Sequence, residues 1–267
     1  MRFYDAHNHL HDERLRPALG DVLNECKRVG VSCAVVNGSC EEDWQDVLTL
    51  ASSHTWVLPS FGYHPWYVHE ASDGWRETLQ HYLDAIPSAV GEIGLDRWKD
   101  GLDPLQQEEF FLAQLEIAAE RDLPVSIHCL KAWGRLLELL SSHRIPRCGF
   151  VLHSYGGSAE MVPQLANLGA YFSCPGYFLE QSKQKKLEVF RSVPIDRLLV
   201  ETDAPDQPLP DALDRYGLRD QQARRINHPA LIPSVYAGVA QFLGVSLLDL
   251  TNSVADNFER LFGKLMR

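Results

Sequence analysis

Short β-rich runs recur along the chain with helical segments between them, and this alternation constrains the fold more than any other feature. The runs lie near residues 2–6, 33–37, 56–61, 88–93, 124–128, 149–153, 169–173 and 197–202. Amphipathic segments separate most of them. One should begin at Asp103 and Pro104 and reach about Arg121, and Gly30 suits the residue after a helix. Strands that alternate with helices form parallel sheets, because parallel neighbours need a long crossover between them.

The number of strand–helix units selects one parallel architecture. Eight units in about 200 residues match an α/β fold of the (β/α)8 TIM-barrel type. A doubly wound sheet would usually carry a G-x-G-x-x-G turn after its first strand, and the sequence has none. No linker or low-complexity tract divides the chain. We therefore expect a single barrel over residues 1–267, with a long proline-rich loop at 204–233 and a closing C-terminal helix from about Ser246 to Lys264.

Composition and charge exclude several classes of protein. With 45% hydrophobic and 23% charged residues, the chain is typical of a compact globular protein rather than a disordered one. Its formal net charge of −11 disfavours a protein that wraps nucleic acid through a broad basic surface. No stretch approaches the roughly 18 consecutive apolar residues of a membrane span, and no secretory signal is recognisable. The six cysteines form no C-x-x-C pair, so we expect reduced, mostly buried thiols in a cytoplasmic protein. The sequence does not determine the oligomeric state, and a monomer is the working hypothesis.

Histidines crowd the end of the first predicted strand, in the stretch DAHNHLHD at residues 5–12. His7 and His9 stand two residues apart, so the period of a strand points both imidazoles to one face, where a metal ion could take both. His11 lies beyond the strand and is expected to be exposed to solvent. An H-x-H pair alone is a weak signal, because such pairs also occur on solvated surfaces.

The ends of the other predicted strands carry side chains of the same kind. They are His64, Glu92, His128, His153, Glu201 and Asp203. Each one alone has an ordinary explanation, such as a salt bridge, a core histidine or a turn cap. In a barrel, however, all carboxyl ends surround one opening. Because a buried polar group without a partner costs about 1–3 kcal/mol, a shared cation is the simplest way to satisfy the whole set.

In this order, the segments DAHNHLHD, GYHPW, VGEIGLD, SIHC, LHSYGGS and LLVETDAP resemble the signatures of the TatD family of metal-dependent hydrolases, which are amidohydrolase-like barrels. The resemblance spans nearly the whole chain. It implies two divalent metal ions, the first held by His7, His9, Glu92 and Asp203 and the second by Glu92, His128 and His153. Glu92 would bridge the two ions. The resemblance also implies that His64 lies near a substrate phosphate and that Glu201 supports the site or handles a proton.

Some positions depart from the pattern of the family. Cys129 and Leu130 stand where the family commonly has Ser–Arg, and Lys131 is a candidate replacement for the missing cation, although an ammonium does not reproduce a guanidinium fork. Asn8 replaces a cysteine or serine on the strand face away from the two histidines. Three further changes, expected around the mouth of the barrel, are His228, Tyr155 and Gly156. These changes affect the identity of the substrate more than metal binding.

Two metal ions in one site suit phosphodiester hydrolysis, because they activate a water and stabilise the attacking and leaving oxygens. The resemblance implies a deoxyribonuclease with 3′ exonuclease character, and we expect DNA ends or short single strands as its substrate. Asp203 is the candidate general base, Glu92 and Glu201 are further catalytic candidates, and His64 and Lys131 are candidates for phosphate binding. Mixed imidazole and carboxylate ligands suit Zn, Mn, Fe or Ni, whereas Mg prefers oxygen-rich sites.

Two other functions stay open on the sequence alone. One is hydrolysis of a small ester, lactone or amide, in which the metals polarise a carbonyl group. The other is a non-catalytic metal-binding protein. Aromatic residues expected near the mouth could stack on bases, although packing in the core or rim is the commoner role. They are Tyr63, Trp66, Trp133, Tyr155 and Tyr177. Arg224 and Arg225 are interpreted as a solvated pair outside the site.

Overall fold

Eight parallel strands form one sheet in chain order in the computed structural model, which describes residues 1–266. The strands are Phe3–Asn8 (β1), Val31–Asn37 (β2), Val57–Phe61 (β3), Ala89–Asp96 (β4), Val125–Leu130 (β5), Phe150–Leu152 (β6), Ala170–Pro175 (β7) and Leu198–Glu201 (β8). The sheet nearly closes on itself, because the Asp203 N–H donates to the His7 carbonyl at 2.9 Å and the His9 N–H donates to the Ala204 carbonyl at 2.7 Å. The predicted (β/α)8 barrel is confirmed.

Nine α-helices lie within residues 1–266. They are Leu19–Val29 (α1), Glu41–Ser53 (α2), Trp75–Ala85 (α3), Pro104–Arg121 (α4), Trp133–Ser142 (α5), Val162–Asn167 (α6), Gln184–Val189 (α7), Ile232–Leu243 (α8) and Leu247–Phe262 (α9). The first eight each follow one strand, and α9 is the predicted closing helix. Asp103 caps α4 by accepting the Leu105 N–H at 2.9 Å, with Pro104 directly after it, as predicted. Gly30 ends α1 in the left-handed region, also as predicted.

The segment after β8 is the least regular part of the barrel. Before α8 begins, the predicted loop at 204–233 contains short 3-10 turns at Asp211–Leu213 and Pro229–Leu231 and one antiparallel bridge between Arg219 and Arg225. The sequence analysis assigns no helix between this loop and the closing helix, and the structure has α8 there. Pro233 is compatible with it. In the structure this proline occupies the first turn of α8, where its missing N–H has no helical partner to lose.

β4 reaches Asp96, three residues beyond the end that the sequence predicts, and every residue in it is buried. Gly94 pairs with His128 of β5. A Cβ at Gly94 would overlap the His128 carbonyl oxygen, so only glycine lets the two strands approach this closely. This close pairing places the end of β4 beside the end of β5.

Five of the six cysteines are buried, and Cys148 is half-buried. Within residues 1–266, no single helix combines the length and apolar composition of a membrane span. Helices α8 and α9 meet such a test only as a pair that is bent by 110°.

Candidate metal centre

Imidazoles and carboxylates from distant parts of the chain meet at the mouth, the opening that the carboxyl ends of the strands surround. They are His7, His9, His64, Glu92, His128, His153 and Asp203. All of them are buried except His9, whose side chain is 13% exposed. The structure therefore brings together every side chain that the sequence analysis assigned to the two metal positions.

The first group of donors surrounds one oxygen of Glu92. The Nε2 atoms of His7 and His9 lie 3.3 and 3.4 Å from Glu92 Oε2 and 3.3 Å from each other. Both also lie 3.7 Å from Asp203 Oδ1. Ligands in a tetrahedral zinc site, at about 2.0–2.2 Å from the ion, stand about 3.3–3.6 Å apart. The spacing of the two nitrogens and Glu92 Oε2 fits a single divalent ion, and Asp203 Oδ1 lies slightly farther from the same two nitrogens.

The second group of donors surrounds the other oxygen of Glu92. His128 Nδ1 lies 3.0 Å and His153 Nε2 lies 3.1 Å from Glu92 Oε1, and the two nitrogens are 3.3 Å apart. The two oxygens of Glu92 thus face two different sets of nitrogens. This is the arrangement that a carboxylate bridging two ions requires.

The outward nitrogens of His9 and His128 show which form these imidazoles take. His9 Nδ1 lies 2.8 Å from the Asn37 carbonyl oxygen, and His128 Nε2 lies 3.1 Å from Asp96 Oδ2. A carbonyl and a carboxylate accept hydrogen bonds, so each of these nitrogens carries the hydrogen. In the neutral ring the nitrogen that faces Glu92 then presents a lone pair, as a metal ligand must.

His153 and His7 have outward partners of a similar kind. His153 Nδ1 lies 3.4 Å from Glu201 Oε1, and the same oxygen accepts the Ser154 N–H and hydroxyl at 2.8 and 2.6 Å. His7 Nδ1 lies 2.8 Å from the Ser126 hydroxyl and 3.1 Å from the Asn37 side-chain amide nitrogen. Polar groups thus lie beside the outward nitrogens of four imidazoles, which is typical of metal-binding histidines.

His64 is arranged differently from these four imidazoles. The Trp66 N–H donates to His64 Nδ1 at 3.2 Å, so in the neutral ring the hydrogen lies on Nε2. That atom faces Glu92 Oε1 at 3.6 Å. In this form His64 offers a hydrogen-bond donor to the site and no lone pair.

The electrostatics of the site favour a bound cation. Burial raises the pKa of Asp203 well above its usual value, and the nearby Glu201 carboxylate raises it further. Burial would also raise the pKa of Glu92, but the imidazoles around it, His153 foremost, hold the pKa well below its usual range. Burial lowers the pKa of His7 to about 4, which keeps the ring neutral. Buried carboxylates beside imidazoles fit a divalent ion such as Zn, Mn, Fe or Ni.

A cavity of about 910 Å³ opens above these donors. Trp66, Tyr177, Cys129 and Leu130 are among the residues that line it, as expected for positions at the mouth. Lys131 is exposed and does not contribute to the wall of this cavity among the described residues. Its role as a phosphate contact stays a prediction.

The expectation that His11 is exposed is wrong. Its side chain is only 5% exposed, and its Nε2 lies 3.3 Å from Asp43 Oδ2. Asp43 lies in the first turn of α2, far from His11 in the sequence, and this packing is decided by the tertiary structure.

The expected position of two departures from the family pattern is also wrong. Tyr155 is fully buried and donates to the Ser158 carbonyl at 2.8 Å. His228 is buried with its ring stacked on Tyr216 at 3.9 Å between centroids. Neither residue, nor Gly156, lines the cavity. These positions shape the packing around the barrel rather than its mouth.

Two of the aromatic stacking candidates and the arginine pair interpreted as lying outside the site also contact other residues of the chain. Tyr63 is buried and donates to Glu41, and Trp133 packs edge-on against Tyr155. Arg224 and Arg225 pair with acidic neighbours, namely Asp220, Asp211 and Asp214.

Two supporting residues, Asp96 and Ser126, are absent from the sequence-based assignment. A signal for both exists in the period of a strand. Asp96 stands four residues after Glu92 on β4, and Ser126 stands two before His128 on β5, so each shares a strand face with a metal-site residue. Polar residues in those positions point towards the same site.

Comparison with known proteins agrees with this geometry. Residues 4–263 match the family model described as TatD related DNase. A 3′-5′ ssDNA/RNA exonuclease TatD of Pectobacterium carotovorum is 30% identical over 90% of this chain and 92% of its own length. The metal-dependent hydrolase YjjV of Escherichia coli K12 is 32% identical over 84% and 87%. The crystal structure of YjjV superimposes with a TM-score of 0.88 at 29% identity, covering 98% of both chains. This chain therefore belongs to the TatD related DNase family.

Proposed function

We propose that the chain is a hydrolase of phosphodiester bonds that uses two divalent ions and removes nucleotides from the 3′ end of single-stranded DNA or RNA. The proposal rests on the two carboxylate oxygens of Glu92, which face different pairs of imidazoles. Oε2 faces His7 and His9, and Oε1 faces His128 and His153. Relatives named as exonucleases of single-stranded DNA and RNA support the choice of substrate.

Divalent ions bound in these two positions would lower the pKa of a water molecule and neutralise charge on the phosphate oxygens. Asp203 is our candidate for the group that takes the proton from that water, because its Oδ1 lies 3.7 Å from His7 Nε2 and the residue lines the cavity. Gln207 Nε2 donates to Asp203 Oδ2 at 2.5 Å and holds the side chain in place.

His64 is our candidate for a phosphate contact, because its Nε2 carries a hydrogen and the residue lines the cavity. Glu201 holds His153 and, through the Ser154 amide, the turn after β6. We assign it a positioning role. The imidazole-rich donor set favours Zn, Mn, Fe or Ni over Mg as the resident ion. Reduced cysteines fit an activity in the cytoplasm.

The test combines metal analysis with a substrate panel. We expect about two divalent ions per chain by elemental analysis, and shortening of a 5′-labelled single strand from its 3′ end, one nucleotide at a time. Turnover of lactones, esters or amides without nuclease activity would contradict the proposal. Two bound ions without hydrolysis of any substrate would favour a non-catalytic metal-binding protein.

His128→Ala tests the second metal position directly. We expect loss of one ion per chain and a fall in turnover of more than about a hundredfold, because even residues that only support a ligand contribute about ten- to a hundredfold. The far-ultraviolet circular dichroism should be unchanged. His81→Ala removes an exposed imidazole of α3 and should leave metal content and turnover as in the wild type. Turnover of His128→Ala at the parental rate would show that this assignment is wrong.

A further inference from the structure

Trp98 stands out among the large apolar side chains that the structure leaves exposed. Its side chain is 56% exposed, and within residues 1–266 it is the one exposed large apolar residue that also lines the cavity. Exposing an indole to water forgoes the free energy that its burial would provide. Its position at the mouth therefore indicates a partner that is flat and enters the cavity.

The faces of the Trp98 indole are free to receive such a partner. Among the described residues, this side chain makes no hydrogen bond, ring contact or cation contact. Two other aromatic residues of the rim, Trp66 and Tyr177, already have cations over their rings. The Lys99 ammonium lies 4.5 Å from the centre of the Trp66 ring, and that of Lys183 lies 4.9 Å from the centre of the Tyr177 ring.

Asp96 fixes the segment that carries Trp98 relative to the metal centre. Its Oδ1 accepts the N–H groups of Trp98 and Lys99 at 2.6 and 3.1 Å. Its Oδ2 accepts the Trp66 indole N–H at 2.7 Å and lies 3.1 Å from His128 Nε2. One carboxylate thus orients a candidate metal ligand and anchors the loop with the exposed indole, so the two are positioned together.

The charges around the mouth determine on which side a polyanion can lie. The loops after β8 and β1 and the N-terminal part of α2 contribute six carboxylates to the cavity wall, against the guanidiniums of Arg14 and Arg16. The carboxylates belong to Asp12, Glu13, Glu42, Asp43, Asp46 and Asp206. β4 stands four strand positions from β8 and two from β2, so the loop after β4 lies outside this acidic rim. A phosphate chain is therefore repelled from the acidic rim and directed towards the loop after β4.

Lys99 is suited to meet that phosphate chain. It is exposed, and it forms no ion pair with a carboxylate among the described residues. It follows Trp98 directly in the sequence, so a base and its phosphate could be met by adjacent side chains. Aromatic stacking beside a lysine is how proteins hold single strands without reading their sequence.

We infer that Trp98 is the stacking platform for a base of the single-stranded substrate, with Lys99 neutralising a phosphate of the same strand. This inference rests on the proposed function and names the substrate contact that follows from it. Stacking on an indole tolerates every base, so the site would select single strands over duplexes, whose bases are already stacked.

The test measures binding and keeps it separate from hydrolysis. The ligand is a fluorescein-labelled octathymidylate with phosphorothioate linkages, which resist cleavage, and the readout is its anisotropy with the metal-loaded protein. We expect Trp98→Ala to weaken binding by about tenfold or more. Trp98→Phe should stay within about threefold of the wild type, because it keeps a ring face. The quenching of tryptophan emission by the strand should be smaller in Trp98→Phe than in the wild type.

Matched controls separate stacking from charge and from general surface effects. Leu105→Ala removes another exposed apolar side chain, 76% exposed and outside the cavity, and should not change the affinity. A strand of abasic tetrahydrofuran units keeps the phosphates and lacks the bases. Trp98→Ala should change its affinity by less than about twofold, whereas Lys99→Gln should weaken both strands and reduce the salt dependence.

The inference is overturned if Trp98→Ala binds the octathymidylate as tightly as the wild type, if it loses equal affinity for the abasic strand, or if the wild type binds neither strand. Hydrolysis of unmodified strands reports on the proposed function independently. A protein with Trp98-dependent binding and no hydrolysis would contradict the proposed function and support the inference. Hydrolysis by a protein whose binding does not depend on Trp98 would support the proposed function and contradict the inference.

Discussion

Asp96 shows how much of the metal centre depends on residues that would touch no ion. It holds the outward nitrogen of His128, and its interaction with that ring, opposed by burial, raises the pKa of His128. Glu201 Oε1 lies 3.4 Å from the outward nitrogen of His153. A hydrogen held on the outward nitrogen by Asp96 leaves the lone pair of the neutral ring on the nitrogen that faces Glu92, and an ion that binds there displaces any proton on that nitrogen.

His228 allows a pH prediction at a residue away from the metal centre. Burial lowers its pKa to about 4, and its neutral Nδ1 accepts the Ala230 N–H at 3.1 Å. In the unfolded chain the ring takes up a proton below its ordinary pKa, whereas the folded chain resists protonation until about pH 4. The stabilisation is therefore complete above about pH 6.5 and is lost as the pH falls towards 4.

His228→Asn should remove this pH dependence while its side-chain oxygen accepts the same Ala230 N–H. We expect the free energy of unfolding of the wild type to fall by about 2 kcal/mol more than that of the variant between pH 7.5 and pH 4.5. Urea unfolding at both pH values measures the difference. Equal falls in the two proteins would show that His228 does not titrate as described.

At the scale of elements, the pairing of β4 with β5 places Glu92 and His128 at one site. Gly94 makes this possible, because it pairs with His128 and its missing Cβ leaves room for the neighbouring carbonyl. The alternation of a strand also accounts for the other members of the site on these two strands, Asp96 and Ser126.

Gly94→Ala should destabilise the protein by about 3 kcal/mol or more, because the added methyl group meets backbone and the two strands must separate. Equilibrium urea unfolding gives the change. Gly134→Ala is the matched control, since Gly134 lies in the first turn of α5 with no atom near the new Cβ. That substitution should be neutral or stabilise the protein by up to about 1 kcal/mol. A stable Gly94→Ala variant would contradict the described approach of β4 to β5.

At the scale of the whole molecule, the candidate ligands include residues from both the first and the last strand of the barrel. His7 lies on β1 and Asp203 follows β8, and their backbones are joined where the sheet closes. The unfolded chain cannot hold these donors together. Metal binding should therefore stabilise the folded barrel as a whole.

Removal of metal should lower the thermal stability of the protein. An ion at a free concentration 100 times its Kd stabilises the fold by about 2.7 kcal/mol for each site, which raises the Tm of a chain of this size by about 5–10 °C. Calorimetry of chelator-stripped protein, with and without added zinc or manganese, measures the shift. His153→Ala should reduce it, and His69→Ala, which changes an exposed histidine, should not. An equal Tm with and without the added ion would contradict a metal site formed by the fold.

The sequence by itself determined the alternation of strands and helices, the barrel, and the side chains that each strand presents at its carboxyl end. These properties follow from local periodicity, because a period of two decides which residues share a strand face. For that reason His7 with His9, and Glu92 at the end of β4, could be assigned from the residues alone. The family resemblance then supplied their grouping around two ions.

Only the tertiary structure decided which oxygen of Glu92 faces which imidazoles, and which residues hold those imidazoles from behind. It also decided that His11 is covered by Asp43, that Tyr155 and His228 are buried, and that Trp98 stands exposed at the mouth. These properties depend on side chains that lie far apart along the chain and meet only when the barrel closes. Local periodicity holds no information about such contacts, because it describes an element and not the neighbours against which the element packs.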